Sequence, residues 1–276
     1  VQHSCRDLSW PRHSSNVRMV DSLGAGSIVG EYEIVKKIAQ GGMGQVYLIH
    51  PTKQSLANVF LVLKGVPCYS KVEANESLKE AKVLRDLSHP YIVQYIDVFP
   101  HELKNNTLAV CTVMEFCERG DLAGYLKLLR SRKQARVDET VMRLWLMQLL
   151  AALDYLHSSG VLHRDIKPHN VFMDSLGDLK LGDFGLATTL ARGKITSRVG
   201  TPSYIAPEVL QTDAYGAAVD IWGVGCLALG MMTMQFLPER AGMLAAQVSS
   251  RPLRAEQLPD AFDERLRLVV ARMLMA

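Results

Sequence analysis

The chain has 276 residues, 48% of them hydrophobic and 21% charged, and its 31 Lys and Arg against 28 Asp and Glu leave a net charge of +3. That composition belongs to a globular protein with a sizeable core and excludes a mainly disordered chain, a collagen or a coiled coil. So small a net charge demands neither a nucleic-acid nor a membrane partner.

The five cysteines, Cys5, Cys68, Cys111, Cys117 and Cys226, form no CxxC pair. Neither a disulfide framework nor a structural zinc is expected, and a reducing compartment, cytoplasmic or nuclear, is the default. Residues 1–29 are polar, serine-rich and aperiodic and read as a flexible tail without the apolar stretch of a secretory signal. Glu31–Ile38 and Gln45–His50 read as a strand pair joined by Gly41-Gly42-Met43-Gly44. Asn58–Val66 is a third strand by its apolar and β-branched content, and Val72–Leu87 follows a helical period that ends at His89-Pro90. Ile92–Phe99 and Leu108–Phe116 complete a small lobe, residues 30–116, with a five-stranded antiparallel sheet and one main helix.

The remainder, residues 117–276, reads as a larger, mostly α-helical lobe joined near Glu115–Gly120, so the fold class is α+β. Asp121 is an N-cap for a helix to Ser131, and Asp138–Ser158 is a longer helix. Short apolar runs flank His163–Asn170, and Leu176–Leu181 carries a Gly177-Asp178 turn. Ile221–Leu237 is uncharged but, at 17 residues, shorter than the roughly 20 a membrane span wants, so it reads as a buried core helix. From Pro207 onward the pattern is helical.

The chemistry gathers in His163-Arg164-Asp165-Ile166-Lys167-Pro168-His169-Asn170. Asp165 is placed to accept a hydroxyl proton, Lys167 to neutralise charge on a migrating phosphoryl group, and Asn170 to offer a neutral oxygen to Mg²⁺. Asp183, opening Asp183-Phe184-Gly185, supplies a second oxygen ligand. Gly41, Gly42 and Gly44 let backbone N–H groups approach phosphates. Lys64 lies inside an apolar strand, and Glu80 in mid-helix is available to pair with it.

Together these segments resemble the protein kinase family over about residues 31 to 275. AQGGMGQV (39–46) resembles the glycine-rich loop, LVLK (61–64) the strand holding the nucleotide lysine, HRDIKPHN (163–170) the catalytic loop and DFG (183–185) the metal-binding motif. GTPSYIAPE (200–208) resembles the end of the activation segment and DIWGVG (220–225) the start of a buried helix. The resemblance implies a bilobal fold and a serine/threonine kinase using ATP and Mg²⁺ on a protein hydroxyl. Lys167 marks the serine/threonine class, Thr201 would bridge Asp165 and Lys167, and Leu186 mildly favours serine acceptors. Met114 would guard the adenine pocket, with Glu115 and Cys117 offering backbone hydrogen bonds, Val46 and Val62 its roof and Phe172 its floor. Phe184 and Leu84 would link the lobes. Ser197, or Thr196, would be a phosphosite facing Arg164, filled by an upstream kinase or by autophosphorylation.

Departures from the pattern are Ala39 for the first loop glycine, Val62 for a commoner alanine, and His169 and Gly230 where kinases that read upstream arginines carry acids. The chain stops at Ala276, before the arginine expected to pair with Glu208, so its C-terminal end reads as truncated. The alternative is a catalytically weak or inactive kinase-fold scaffold that binds nucleotide. A small-molecule kinase is the third reading, and the peptide-docking GTPSYIAPE segment stands against it. LGDFGLA and HRDIKPHNVF resemble NIMA-related kinases in particular, and GGMG the bacterial-type serine/threonine kinases.

Overall fold

The computed structural model describes residues 23–41, 44–53, 56, 58–103, 107–185, 187–189, 201, 204–211, 215–234 and 253–275. The chain divides into two compact units, one of residues 1–83 and 96–114, the other of residues 84–95 and 115–276.

The first unit is built on a sheet of strands β1 (Ile28–Val29), β2 (Tyr32–Gly41), β3 (Gly44–Pro51), β4 (Leu61–Cys68), β5 (Tyr95–Glu102) and β6 (Leu108–Glu115), in the order β1-β2-β3-β4-β6-β5. β1 with β2, β2 with β3 and β3 with β4 pair antiparallel. The sheet therefore has six strands where the sequence pattern gives five. The extra one is two residues long, too short to show alternation, and it sets Val29 at 0% exposure within what reads as a flexible tail. Register explains the core. Tyr47 stands opposite Leu63 and Ile49 opposite Leu61, and these pairs bury one sheet face with Ile34, Cys111 and Val113. Each buried leucine, isoleucine or valine among them contributes about 1.5–3 kcal/mol by leaving water. Helix α1 (Lys71–Arg85) buries Ala74 and Ala81.

Leu84–Tyr95 groups with the second unit rather than the first. Ile92 and Val93 read as the start of a strand, but Ile92 bridges to Leu181 and the Val93 N–H donates to the Leu181 carbonyl at 2.8 Å. A short buried run and a strand look alike to periodicity, and the strand itself begins at Tyr95.

The second unit holds α2 (Leu122–Ser131), α3 (Glu139–Ser158), α4 (Pro207–Gln211), α5 (Ala218–Thr233) and α6 (Glu264–Met273), with the short strands β7 (Val161–Leu162), β8 (Val171–Met173), β9 (Leu179–Leu181) and β10 (Thr188–Thr189). Aspartates start three of these helices. Asp121 accepts from the Gly124 N–H at 2.7 Å, Asp138 from Thr140 at 2.9 Å and Asp263 from Arg265 at 2.9 Å. Each satisfies an orphan donor of the first turn, worth about 1 kcal/mol. The apolar run beginning at Ile221 forms α5, which packs against α3 and α6. Among the described residues no helix is long and apolar enough to cross a membrane.

Two glycines of α5 are needed for close approach. A Cβ on Gly223 would stand 2.6 Å from Cβ of Ile166, and one on Gly225 would stand 2.9 Å from Cβ of Met273. Ile166 belongs to the catalytic-loop motif, so α5 carries that loop directly on its backbone. Gly223→Ala is expected to destabilise the fold by about 2 kcal/mol through overpacking, read as a lower urea midpoint. An unchanged midpoint would show that the loop moves aside freely.

Candidate active site

The loop following β7 is held from beneath. Asp220, in the first turn of α5, is fully buried and accepts from the N–H of His163 at 3.0 Å, the N–H of Arg164 at 2.8 Å and Nε2 of His157 at 2.8 Å. One carboxylate thus satisfies two backbone donors of the loop and one side chain of α3. It also secures an unfavourable backbone: Arg164 has φ 66, a left-handed conformation that disfavours side chains. Asp183 has φ 54. Strain of this kind costs of order 1–3 kcal/mol per residue and gathers where function fixes geometry.

The strained loop presents Asp165 at the centre of a hydrogen-bonded group. Its Oδ1 accepts from the Thr201 hydroxyl at 2.7 Å and the Thr201 N–H at 3.1 Å. Its Oδ2 accepts from Nζ of Lys167 at 2.7 Å and Nδ2 of Asn170 at 2.9 Å. Lys167 also donates to the Thr201 hydroxyl oxygen at 2.8 Å, closing a triangle. Burial alone would raise the Asp165 carboxyl, but the hydrogen bonds from Lys167 and Thr201, the Lys167 charge and Asn170 outweigh it and hold its pKa below the ordinary carboxylate value. Asp165 is therefore a carboxylate throughout the neutral range. The stability its ionised form contributes is complete above about pH 4 and is lost as pH falls through the lowered value.

Asn170 ends the short 3₁₀ turn Pro168–Asn170 and directs its amide N–H to Asp165 through two bonds, to the carbonyl at 2.8 Å and to Oδ2. Its Oδ1 is the kind of neutral acceptor a hard cation uses. The Gly182 N–H donates to the Asn170 carbonyl at 2.9 Å, which brings the residue before Asp183 against Asn170. His163 adds a second tie: its Nδ1 accepts from the Asp165 N–H at 3.2 Å, so its Nε2 is the donor to the Gly182 carbonyl at 3.0 Å. The Phe184 ring packs against two others, tilted to His163 at 4.8 Å between centroids and edge-on to Tyr95 at 5.9 Å. Among the described residues no three His, Cys, Asp or Glu side chains cluster as metal ligands. An amide oxygen from Asn170 with one carboxylate from Asp183 is a donor set that suits magnesium completed by phosphate oxygens.

The nucleotide candidates fall on separate elements. In the first unit, Val46 stands opposite Lys64 and also opposite Ala39, and Leu48 opposite Val62. Because opposed residues share a face and alternate residues return to it, Ala39, Val46, Val62 and Lys64 lie on one side of the sheet, away from the Tyr47–Leu63 core. Gly41 and Gly44 close the β2–β3 hairpin. Gly44 has φ +145, and a Cβ there would stand 2.2 Å from the Gly65 carbonyl oxygen, so no other residue fits. Glu80 is exposed in the middle of α1, and Met114, 8% exposed, is the last residue but one of β6. In the second unit, Glu115 is fixed by three contacts. Its N–H donates to the Gln94 carbonyl at 3.0 Å, and its Oε1 accepts from the Gln94 N–H at 2.7 Å and from Lys180 at 3.0 Å. The Cys117 thiol is buried, and that desolvation pushes its pKa up to about 12, so it is no nucleophile at neutral pH. Phe172 lies in β8 and bridges to Asp121.

Asp165, Lys167, Asn170 and Thr201 are thus brought into one hydrogen-bonded group, with Asp183 one residue from the Gly182 tie. Gly42, Leu186, Thr196 and Ser197 lie outside the described residues. Arg164, expected to face the phosphosite, reaches the Tyr215 hydroxyl at 3.4 Å. Glu208, half-buried on α4, is not left without a partner. Sequence reasoning missed the supports: Asp220 under the loop, His163 across to Gly182, and Tyr95 against Phe184. A charged residue opening an otherwise apolar helix was the available signal for Asp220.

Residues 32–260 match the family described as protein kinase domain. The chain is 32% identical over 249 residues to the serine/threonine-protein kinase Nek6 of Oryza sativa subsp. japonica, covering 88% of this chain and 44% of that protein. It is 35% identical over 259 residues to mouse (Mus musculus) Nek2, covering 90% and 56%, and 33% identical over 253 residues to the rice CBL-interacting protein kinase 4, covering 90% and 54%. The chain spans about half the length of these curated relatives. The match to the family, laid over the hydrogen-bonded Asp165–Lys167–Asn170–Thr201 network, means that the chain belongs to the protein kinase family.

Proposed function

We propose that the chain transfers the γ-phosphoryl group of ATP to serine or threonine hydroxyls of protein substrates. The observation that carries this reading is the Asp165 network, an ionised carboxylate with Lys167 and Asn170 bonded to the same oxygen. All four acceptor positions of the carboxylate are filled by the chain's own donors. An incoming hydroxyl enters by taking the place of one of them. Asp165 then orients the hydroxyl oxygen for in-line attack on phosphorus. The new P–O bond forms as the bond to the ADP oxygen breaks, and the hydroxyl proton passes to Asp165. Lys167 stays beside the migrating group and offsets its charge. Asn170 and Asp183 are the residues to hold magnesium, which when bound neutralises phosphate charge. The face bearing Ala39, Val46, Val62 and Lys64, the hairpin glycines and the backbone of Glu115 and Cys117 are assigned to the nucleotide by family membership.

The relatives named as serine/threonine kinases support the acceptor class. The proposal includes phosphorylation of Ser197 or Thr196, by an upstream kinase or by the chain itself, and a cytoplasmic or nuclear location. The acceptor class is tested by phosphoamino-acid analysis of casein after incubation with Mg²⁺ and labelled ATP. Label on serine and threonine is expected. Label on tyrosine alone contradicts the class, and a folded protein that binds ATP without labelling casein is the nucleotide-binding scaffold instead.

A further inference from the structure

Helix α2 ends in a concentration of positive charge. From Leu122 to Val137 the chain carries Lys127, Arg130, Arg132, Lys133 and Arg136 and no acid, although the whole chain nets only +3. All five are exposed, and among the described residues none of them stands in an ion pair. A cation in the last turn favours the helix dipole. That accounts for Arg130 and not for the three that lie beyond the helix.

The turn that displays them is fixed. The Lys133 N–H donates to the Arg130 carbonyl at 3.0 Å and the Gln134 N–H to the Leu129 carbonyl at 3.1 Å, the paired closure that ends many helices. Its left-handed position is normally glycine, yet here it is Lys133 with φ 59. Downstream, the Val137 N–H donates to the Met231 carbonyl at 3.1 Å, and the Arg136 guanidinium lies 5.8 Å from the Phe262 ring centroid. Leu128, 45% exposed, stands one turn before Arg132 among the cations. A rigid, basic surface with a single apolar contact is the complement of an acidic peptide.

We propose that the C-terminal end of α2 is a docking surface for an acidic segment of the protein substrate. A single-stranded nucleic acid would want exposed aromatic rings for stacking, but the nearby Tyr125 is turned onto Trp145, 5.5 Å between centroids. A membrane surface would want a broad apolar face, and Leu128 alone does not make one. The opposite end of α2 begins at Asp121, which bridges to Phe172, and the helix packs on the turn ending in Asn170. The docking surface therefore lies about one ten-residue helix length, roughly 15 Å, along from that turn. About five extended residues span this distance, so acids five or more positions from the acceptor hydroxyl are the ones engaged.

This inference rests on the phosphotransfer reading, and its test separates the two. Two peptides share one serine acceptor; one carries a run of glutamates beginning six residues away, the other glutamines. KM for the acidic peptide is expected to be about tenfold lower in dilute buffer, the summed effect of several exposed ion pairs. The advantage disappears at about 0.5 M salt. The double variant Arg132→Glu, Lys133→Glu removes it while leaving kcat and the KM of the glutamine peptide unchanged. Fluorescence polarisation of a labelled glutamate peptide without an acceptor reads docking independently of turnover. Equal KM values for the two peptides in the unaltered chain overturn the docking surface and leave phosphotransfer standing. Charge-dependent peptide binding without any phosphorylation supports docking and overturns phosphotransfer. Tighter binding of RNA or anionic vesicles than of the glutamate peptide overturns the choice of partner.

Discussion

Asp220→Ala is expected to lower stability by about 3 kcal/mol or more and to abolish activity with it. The carboxylate is fully buried and accepts from two backbone N–H groups and from His157. Alanine leaves the His163 and Arg164 donors without acceptors, and each buried orphan costs about 1–3 kcal/mol. The strained Arg164 conformation, φ 66, loses the bonds that offset it. For a chain of this size a loss of about 3 kcal/mol lowers the thermal midpoint by roughly 6–12 °C. Asp220→Asn keeps one acceptor oxygen but turns an amide donor toward the remaining N–H groups, so it falls between the two. The measurement is thermal unfolding beside phosphotransfer. A normal midpoint in Asp220→Ala would mean that something other than this carboxylate secures the catalytic loop.

Asp165→Asn reaches the chemistry without removing the support beneath it. The side chain stays the same size, and Asp220, His163 and Ile166 are untouched. Asparagine keeps one acceptor oxygen in place of two, and it carries no charge for Lys167 and no site for a proton. Phosphotransfer is expected to fall about a thousandfold, within the usual range for a positioned proton acceptor. Nucleotide affinity is expected to stay the same, because the residues assigned to the nucleotide are elsewhere. A steady-state comparison with the unaltered chain, together with ATP titration, separates these effects. Retention of full turnover would remove Asp165 from the role assigned to it.

The features legible in the sequence are those that chemistry writes locally. Asp121 at the start of α2 is readable because an N-cap is a property of a few consecutive residues. The pairing of Val46 with Ala39 is nearly so, since glycines and alternation set the β2–β3 hairpin. The Asp165 group was legible as a motif, but the Thr201 bond comes from 36 residues away, and only resemblance to a family anticipated it. Supports made by distant partners left little trace. Asp220 and His163 are 57 residues apart, and nothing in the spacing links them. Leu84–Tyr95 misled for a different reason: Leu87, Ile92, Val93 and Tyr95 are all buried, and a run buried by tertiary packing has the composition of a strand. Gly223 could be read only as a small residue in an apolar helix; its need for close approach to Ile166 is visible once both are placed.

The role proposed for the Asp165 network in phosphotransfer is tested most directly by a single-turnover measurement of labelled γ-phosphoryl transfer from Mg·ATP to an acceptor protein, with ATP affinity titrated on the same preparation. Rapid transfer to the acceptor by the unaltered chain and almost none by Asp165→Asn at equal ATP affinity is the expected result. Tight ATP binding with no transfer by the folded, unaltered chain would contradict it.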